Sequence, residues 1–174
     1  MAQCGLFIPA KEAKLPIFTR FMADIGDRQS MEDDLSTFSA HIQNLARIVK
    51  EATENTLILL DELGTGTDPD AGAALSQAII EALLKKNSTV VATTHLGSLK
   101  VWASDKSGIV NGGMIFDSDA LAPTYELLMG IPGASYALEI SKRMGLGVNI
   151  INRSKELVGD GSVNFENILT ILEK

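Results

Sequence analysis

Thr56-Leu57-Ile58-Leu59-Leu60-Asp61-Glu62 decides the fold, because an apolar run too short for a buried helix ends abruptly in two acids. A run that is apolar at every position predicts a central parallel strand, covered on both faces. Gly64-Thr65-Gly66-Thr67-Asp68 follows directly, and Gly72 to Lys86 then places Leu75, Ile79, Leu83 and Leu84 at helical spacing, predicting a helix that buries them. A second apolar run, Thr89 to Thr94, ends in His95. Strand, helix and strand with such short links predict a right-handed crossover between parallel strands. Ligand sites of such units lie beyond the carboxyl ends of the strands, where Asp61, Glu62 and His95 all fall.

Working outward, Phe38, Ile42, Leu45, Ile48 and Val49 predict a helix before the central strand, with Asp34 or Ser36 placed to cap it and His41 on its polar side. Leu6-Phe7-Ile8 predicts a short strand, and Ile17 to Ile25 a further one. Beyond the second apolar run, Ile109 to Phe116 and Thr124 to Met129 predict an antiparallel pair joined through Asp117-Ser118-Asp119, completing a mixed, mainly parallel sheet. Helices are expected over Ala134 to Met144, ended by Gly145, and over Val148 to Leu157. Gly159-Asp160-Gly161-Ser162 reads as a flexible joint before an amphipathic segment, Phe165 to Leu172. The organisation expected is therefore one α/β domain over 1–158, with 159–174 as a joint and the start of a helical connector.

The 174 residues, 45% of them hydrophobic, suffice for one sizeable core. A net charge of −7 argues against this piece clamping nucleic acid by itself, because neutralising phosphates takes clustered Lys and Arg. Cys4 is the only cysteine, which excludes an intrachain disulfide and a thiolate metal cluster and fits a reducing compartment. No apolar run reaches the roughly 20 residues that cross a bilayer, and no basic leader opens the chain, so a cytoplasmic protein without a membrane partner is expected.

The chemistry rests on the strand ends. An acid at the end of such a strand can hold Mg²⁺, directly or through water, and a second acid beside it can polarise the water that attacks a γ-phosphate; Asp61 and Glu62 suit those roles. His95, on the adjacent strand, can hydrogen-bond a γ-phosphate oxygen. The alternative is a buried strand that simply reaches solvent with two acids, and a strand-end histidine held for structural reasons. Ser36, Thr37 and Ser39 bring hydroxyls to a helix start whose free N–H groups attract anions; ordinary capping is the alternative there. No Gly-x-x-x-x-Gly-Lys-Ser/Thr loop occurs, and Gly26 to Ser30 lacks the Lys and the second Gly at the required spacing. Half of a phosphate site is therefore absent from these residues.

Phe21 to Ser30 with Leu35-Ser36-Thr37-Phe38-Ser39, then Leu59 to Asp68, then Ala92-Thr93-Thr94-His95 resemble, in proper order, the motifs of the MutS family of ATPases. Within it they are most similar to the second bacterial branch, endonuclease MutS-two, and the resemblance spans nearly the whole chain. It implies a P-loop NTPase-like fold of the ABC and MutS type, truncated at the N-terminus so that the chain begins just after the P-loop and Met1 is internal. It further implies ATP and Mg²⁺ as cofactors, with Asp61 serving the metal in a Walker B strand, Glu62 activating water and His95 sensing the γ-phosphate. Ser36, Thr37 and Ser39 would reach the partner subunit's nucleotide, Gly64, Thr65, Gly66, Thr67 and Asp68 would link the two sites, and Gln29 would lie near the metal. Tyr125 to Ser141 is similar to the segment that returns toward the dimer partner. The parent would be a homodimer acting in DNA repair or suppression of recombination, or on ribosomes, through DNA-binding and endonuclease parts absent here.

Two further readings compete with this one. One is a non-enzymatic dimerisation module that keeps a vestigial ATPase fold; the other is a transporter or chromosome-maintenance ATPase. Those latter families present Leu-Ser-Gly-Gly at the helix start, where this chain has Leu35-Ser36-Thr37-Phe38. Without the P-loop, ATP hydrolysis by these residues alone is expected to be weak or nil.

Overall fold

The computed structural model describes residues 1–26, 34–117, 120, 122–133 and 136–158, without the side chains of 34–37 and 158. Gln29, the joint at 159–162 and the rest of the connector expected over 159–174, with its amphipathic segment at 165–172, lie outside the described residues. Two compact units divide the chain, Met1–Leu99 and Lys100–Lys174.

The first unit is built on three parallel strands, β1 (Arg20–Asp24), β2 (Thr56–Leu60) and β3 (Thr89–Ala92), with β2 in the centre. Met22 pairs with Ile58, which pairs with Val90, so one register line of apolar side chains crosses the sheet. Helix α1 (Asp34–Glu51) links β1 to β2, and α2 (Pro69–Leu84) links β2 to β3. Met22, Leu45, Ile48, Ile58, Leu60, Leu63 and Leu83 form the core, with Ile42, Val49, Ile79 and Val90 packed against it. The parallel β2–α2–β3 unit expected from the apolar runs is present.

On α2 the buried positions are Gly72, Ala73, Ser76 and Leu83, while Leu75 is 40% exposed. The expected burial of Leu75 is thus corrected: the helix turns its small residues inward, because its first turns press against the glycine turn that follows β2. Leu83 itself is fully buried as expected.

Helix α1 is closed from outside. Lys86, just past α2, sends its ammonium to the carbonyls of Val49, Lys50 and Ala52 at 2.6, 3.1 and 3.3 Å. These are the orphan acceptors of the helix C-terminus, where a cation is also favoured by the macrodipole. Lys86→Met, which keeps the aliphatic stem, is expected to lower stability by about 1–3 kcal/mol, the scale of hydrogen bonds from a charged donor; urea denaturation would measure it.

The N-terminal segment contradicts the strand expected at 6–8. Ala2–Cys4 forms a single 3-10 turn ended by Gly5 at φ 71, residues 6–8 take no regular structure, and Phe7 stands 99% exposed. Instead the Gln3 amide brackets the Phe18 backbone, donating to its carbonyl at 2.8 Å and accepting its N–H at 2.9 Å.

In the second unit, β4 (Gly112–Asp117) and β5 (Ala122–Met129) pair antiparallel, as expected, but they form a sheet of their own. The single mixed sheet is therefore corrected to a parallel three-stranded sheet and a separate hairpin. A bulge between Met114 and Phe116 breaks the register, and opposite it Tyr125 takes φ 62. Gly113 lies so close to Gly133 that a Cβ there would sit 2.7 Å from Gly133 Cα. Helices α4 (Ala137–Arg143) and α5 (Val148–Val158) match expectation, with Gly145 at φ 94 ending the first. Helix α3 (Gly97–Ser104), across the division of the units, has no counterpart among the elements expected from sequence.

Candidate active site

The carboxyl ends of the parallel strands are tied together residue by residue. Past β2, the Asp61 N–H donates to the Asp24 carbonyl at 2.8 Å, and the Leu63 N–H donates to the Thr93 carbonyl at 2.9 Å. The sheet pairing therefore runs on into the two acids and fixes their backbone. Between these bonds the chain turns sharply, with Glu62 at φ 49, a left-handed conformation that is uncommon for a residue with a side chain and tends to mark functional sites. Glu62 is exposed and Asp61 half-buried.

Thr93 organises both acids. Its hydroxyl accepts the Glu62 N–H at 2.9 Å and donates to Asp61 Oδ1 at 2.5 Å. One carboxylate oxygen of Asp61 is thereby held, and Oδ2 has no hydrogen-bond partner among the described residues. Mg²⁺ is bound by one or two carboxylates together with phosphates and waters, rather than in an all-protein cage. Asp61 fits that mode as a single carboxylate at a strand end, with one oxygen held by Thr93 and the other left to a ligand.

The turn after the acids is shaped by close backbone approach. Gly64 takes φ 91 and Gly66 φ 80. A Cβ on Gly72 would lie 2.2 Å from the Gly64 carbonyl oxygen, and one on Gly66 would touch Phe38 of α1 at 3.4 Å. Asp68 closes the turn as the N-cap of α2, accepting the N–H groups of Asp70 and Ala71 at 3.1 and 3.0 Å, with Pro69 at the first helical position. Its carboxylate is already engaged within its own chain. Asp68→Ala is expected to destabilise by about 1 kcal/mol, and Asp68→Asn by much less; thermal melts of the two variants would separate them.

A cleft beside this edge is lined by Asp24, His41, Asp61, Glu62, Thr65 and Thr67, with Phe38 and Leu75 among its apolar walls. Of the residues expected from sequence it gathers Asp61, Glu62, Gly64, Thr65 and Thr67. His95 is exposed, lies beyond β3 and is not among the lining residues. Ser36 and Thr37 fall in the first turn of α1, their side chains outside the described residues; Ser39 is exposed one turn further on.

Three site residues escape a reading of the sequence. Asp24, 8% exposed, ends β1 next to Asp61. Its carboxylate accepts from Asn44 Nδ2 at 2.8 Å and meets His41 Nδ1 at 2.9 Å. His41 is thus corrected from the polar side of α1 to the sheet side. A signal for it exists: His41, Leu45 and Ile48 recur at i, i+4 and i+7, and the latter two are buried. Thr93, the third, stands inside the Ala92–His95 motif, where only the histidine carries an expected role.

Residues 1–160 match the family model of MutS domain V. The chain is 49% identical over 173 residues to Endonuclease MutS2 of Thermus thermophilus, covering 99% of this chain and 23% of that protein. It is 48% identical over 174 residues to Endonuclease MutS2 of Staphylococcus carnosus, and 49% identical over 175 residues to that of Alkaliphilus metalliredigens. These matches cover 99% and 100% of this chain, and 22% of each relative. The chain thus spans about a quarter of the length of the curated relatives it matches. Among the described residues no helix is long and apolar enough to cross a membrane. With a matching domain over nearly its whole length and relatives close to half identical, the chain belongs to the MutS family.

Proposed function

We propose that this chain is the hydrolytic part of an ATP site, within the ATPase domain of a dimeric MutS-type DNA-binding protein. The observation that carries this is the pair Asp61–Glu62 at the end of the central strand: one acid is held through a single oxygen by Thr93, and the next is swung outward at φ 49. Asp61 Oδ2 would hold Mg²⁺, which when bound neutralises developing charge on the phosphates. Glu62, exposed at the cleft, orients and deprotonates the attacking water. Ser36, Thr37 and Ser39 at the start of α1 meet the nucleotide of a second protomer, and Gly64 to Asp68 carry contact between the two sites. Gln29 and His95 are assigned to the metal's surroundings and the γ-phosphate from the family pattern. The sheet is assigned to the P-loop NTPase type, with 1–158 as the ATPase portion and 159–174 leading onward.

DNA, as the substrate of repair or of recombination control, and the endonuclease activity named for the relatives belong to parts beyond this chain, as does a ribosome-directed role. A reading as a dimerisation module without catalysis draws on the hairpin, where Met114, Leu127 and Met129 are each more than half exposed. Sedimentation with and without ATP separates the two, since a purely structural dimer forms without nucleotide.

The metal assignment is tested by calorimetry on a form supplied with a P-loop upstream of Met1. ATP binding there is expected to strengthen with Mg²⁺, and Asp61→Asn to remove that dependence. Equal Mg²⁺ dependence in both proteins would rule out Asp61 as the metal residue.

A further inference from the structure

The strand-end acids are joined to α1 by a polar cluster that the proposed chemistry does not use. Asp24 is buried to 8% exposure, yet its carboxylate is fully engaged by two residues of α1, His41 and Asn44, at 2.9 and 2.8 Å. Asn44 Nδ2 also donates to the Ala23 carbonyl at 3.0 Å. A carboxylate only accepts, so this pairing sets the His41 proton on Nδ1. The main-chain carbonyl of the same Asp24 holds the Asp61 N–H. One residue therefore grips α1 with its side chain and the first acid with its backbone.

Because the Asp24 carboxylate is buried and α1 uses both of its oxygens, shifting the helix would leave a buried charge unpaired, which favours one geometry. What it fixes is specific. His41 lies one helical turn, about 6 Å, along α1 from Thr37. Phe38, the residue after Thr37, lines the same cleft as Asp61 and Glu62, and its ring lies against Gly66 of the turn after them. Helix start, glycine turn and acids thus converge on the cleft, with Asp24 as the shared anchor.

We propose that Asp24, His41 and Asn44 form a clamp that sets the start of α1 at a fixed position relative to Asp61 and Glu62. They are positioning residues: with their polar atoms spent on one another, they act by holding the helix start, which meets the second protomer's nucleotide, at a fixed place relative to the acids that serve this protomer's own. The inference rests on the ATPase reading above. It implies that loosening the clamp slows the hydrolytic step while leaving ground-state ATP binding, which the P-loop dominates, little changed.

The test is steady-state ATP hydrolysis by the P-loop-supplied form carrying His41→Leu, His41→Asn, Asn44→Ala or Asp24→Ala, with Glu62→Gln as control and far-UV circular dichroism to establish folding. His41→Leu is expected to lower kcat by roughly 10- to 100-fold, the scale on which displacement of a group by about 1 Å acts, with KM for ATP nearly unchanged. His41→Asn, whose amide nitrogen stands where Nδ1 stood, should recover most of the loss. The pair His41→Leu/Asp24→Ala should be no slower than the slower single variant. If Asp24→Ala does not fold, His41→Leu and the half-exposed Asn44→Ala carry the test. A folded His41→Leu protein with unchanged kcat, or a loss that His41→Asn does not recover, overturns the clamp while Glu62 sensitivity leaves the ATPase reading standing. Turnover that is absent in the parent form, or indifferent to Glu62→Gln, overturns both.

Discussion

Gly72→Ala is expected to destabilise the chain by about 3 kcal/mol or more, lowering the urea midpoint by roughly 1 to 2 M. The substitution would ordinarily help a helix by about 1 kcal/mol, so the sign is decided by what the new methyl meets. It would lie 2.2 Å from the Gly64 carbonyl oxygen, which is backbone in a turn that cannot give way. That turn is held on both sides: Thr94 Oγ1 donates to the Leu63 carbonyl at 3.0 Å, and Gly64 itself is wedged against Leu96 and Ser76. Gly97→Ala is the control, because a Cβ at Gly97 meets nothing within 4 Å. A Gly72→Ala protein as stable as Gly97→Ala would mean that α2 does not press on the turn after β2. The same displacement would move Glu62, so lost stability and lost turnover should accompany one another here.

Glu62→Gln is expected to lower the turnover of the P-loop-supplied form by about 10²- to 10⁴-fold, the range that general base catalysis supplies. The amide keeps the shape of the side chain and the backbone bond from Glu62 N–H to Thr93, so the fold should be untouched. ATP binding should survive as well, since the P-loop and metal supply it. The readout is kcat from phosphate release beside Kd from calorimetry. A variant that retains full turnover would contradict water activation by Glu62 and, with it, the reading of this strand edge as the hydrolytic side of an ATP site.

The β2–α2–β3 unit is legible in the sequence because each part carries its own local signal. β2 is apolar on both faces, Asp68-Pro69 caps α2, and a short apolar run returns as β3. Asp61 and Glu62 are legible for a related reason, since two adjacent charges at the end of a buried strand are costly to desolvate unless solvent or a ligand meets them. Asp24 carries no such signal: it is a single acid ending a short strand whose burial depends on Asn44 and His41, residues 20 and 17 positions away. His41 is misplaced when its polarity is weighed above its register with Leu45 and Ile48. The separate hairpin sheet depends on which edges pair, a nonlocal choice that alternating side chains do not specify. Helix α3 begins at Gly97 with Leu96 before it, where a Ser, Thr, Asp or Asn would be the usual start signal.

The most direct measurement is ATP turnover and ATP binding for these 174 residues beside the same chain supplied with an upstream P-loop. Binding and Glu62-dependent hydrolysis only in the P-loop-supplied form is the expected result, because Asp61, Glu62 and Thr93 provide the metal and water side of the site and not the phosphate cradle. Inertness of both forms, or Glu62-dependent turnover by the 174 residues alone, would contradict the assignment of this chain as the hydrolytic half of an ATP site.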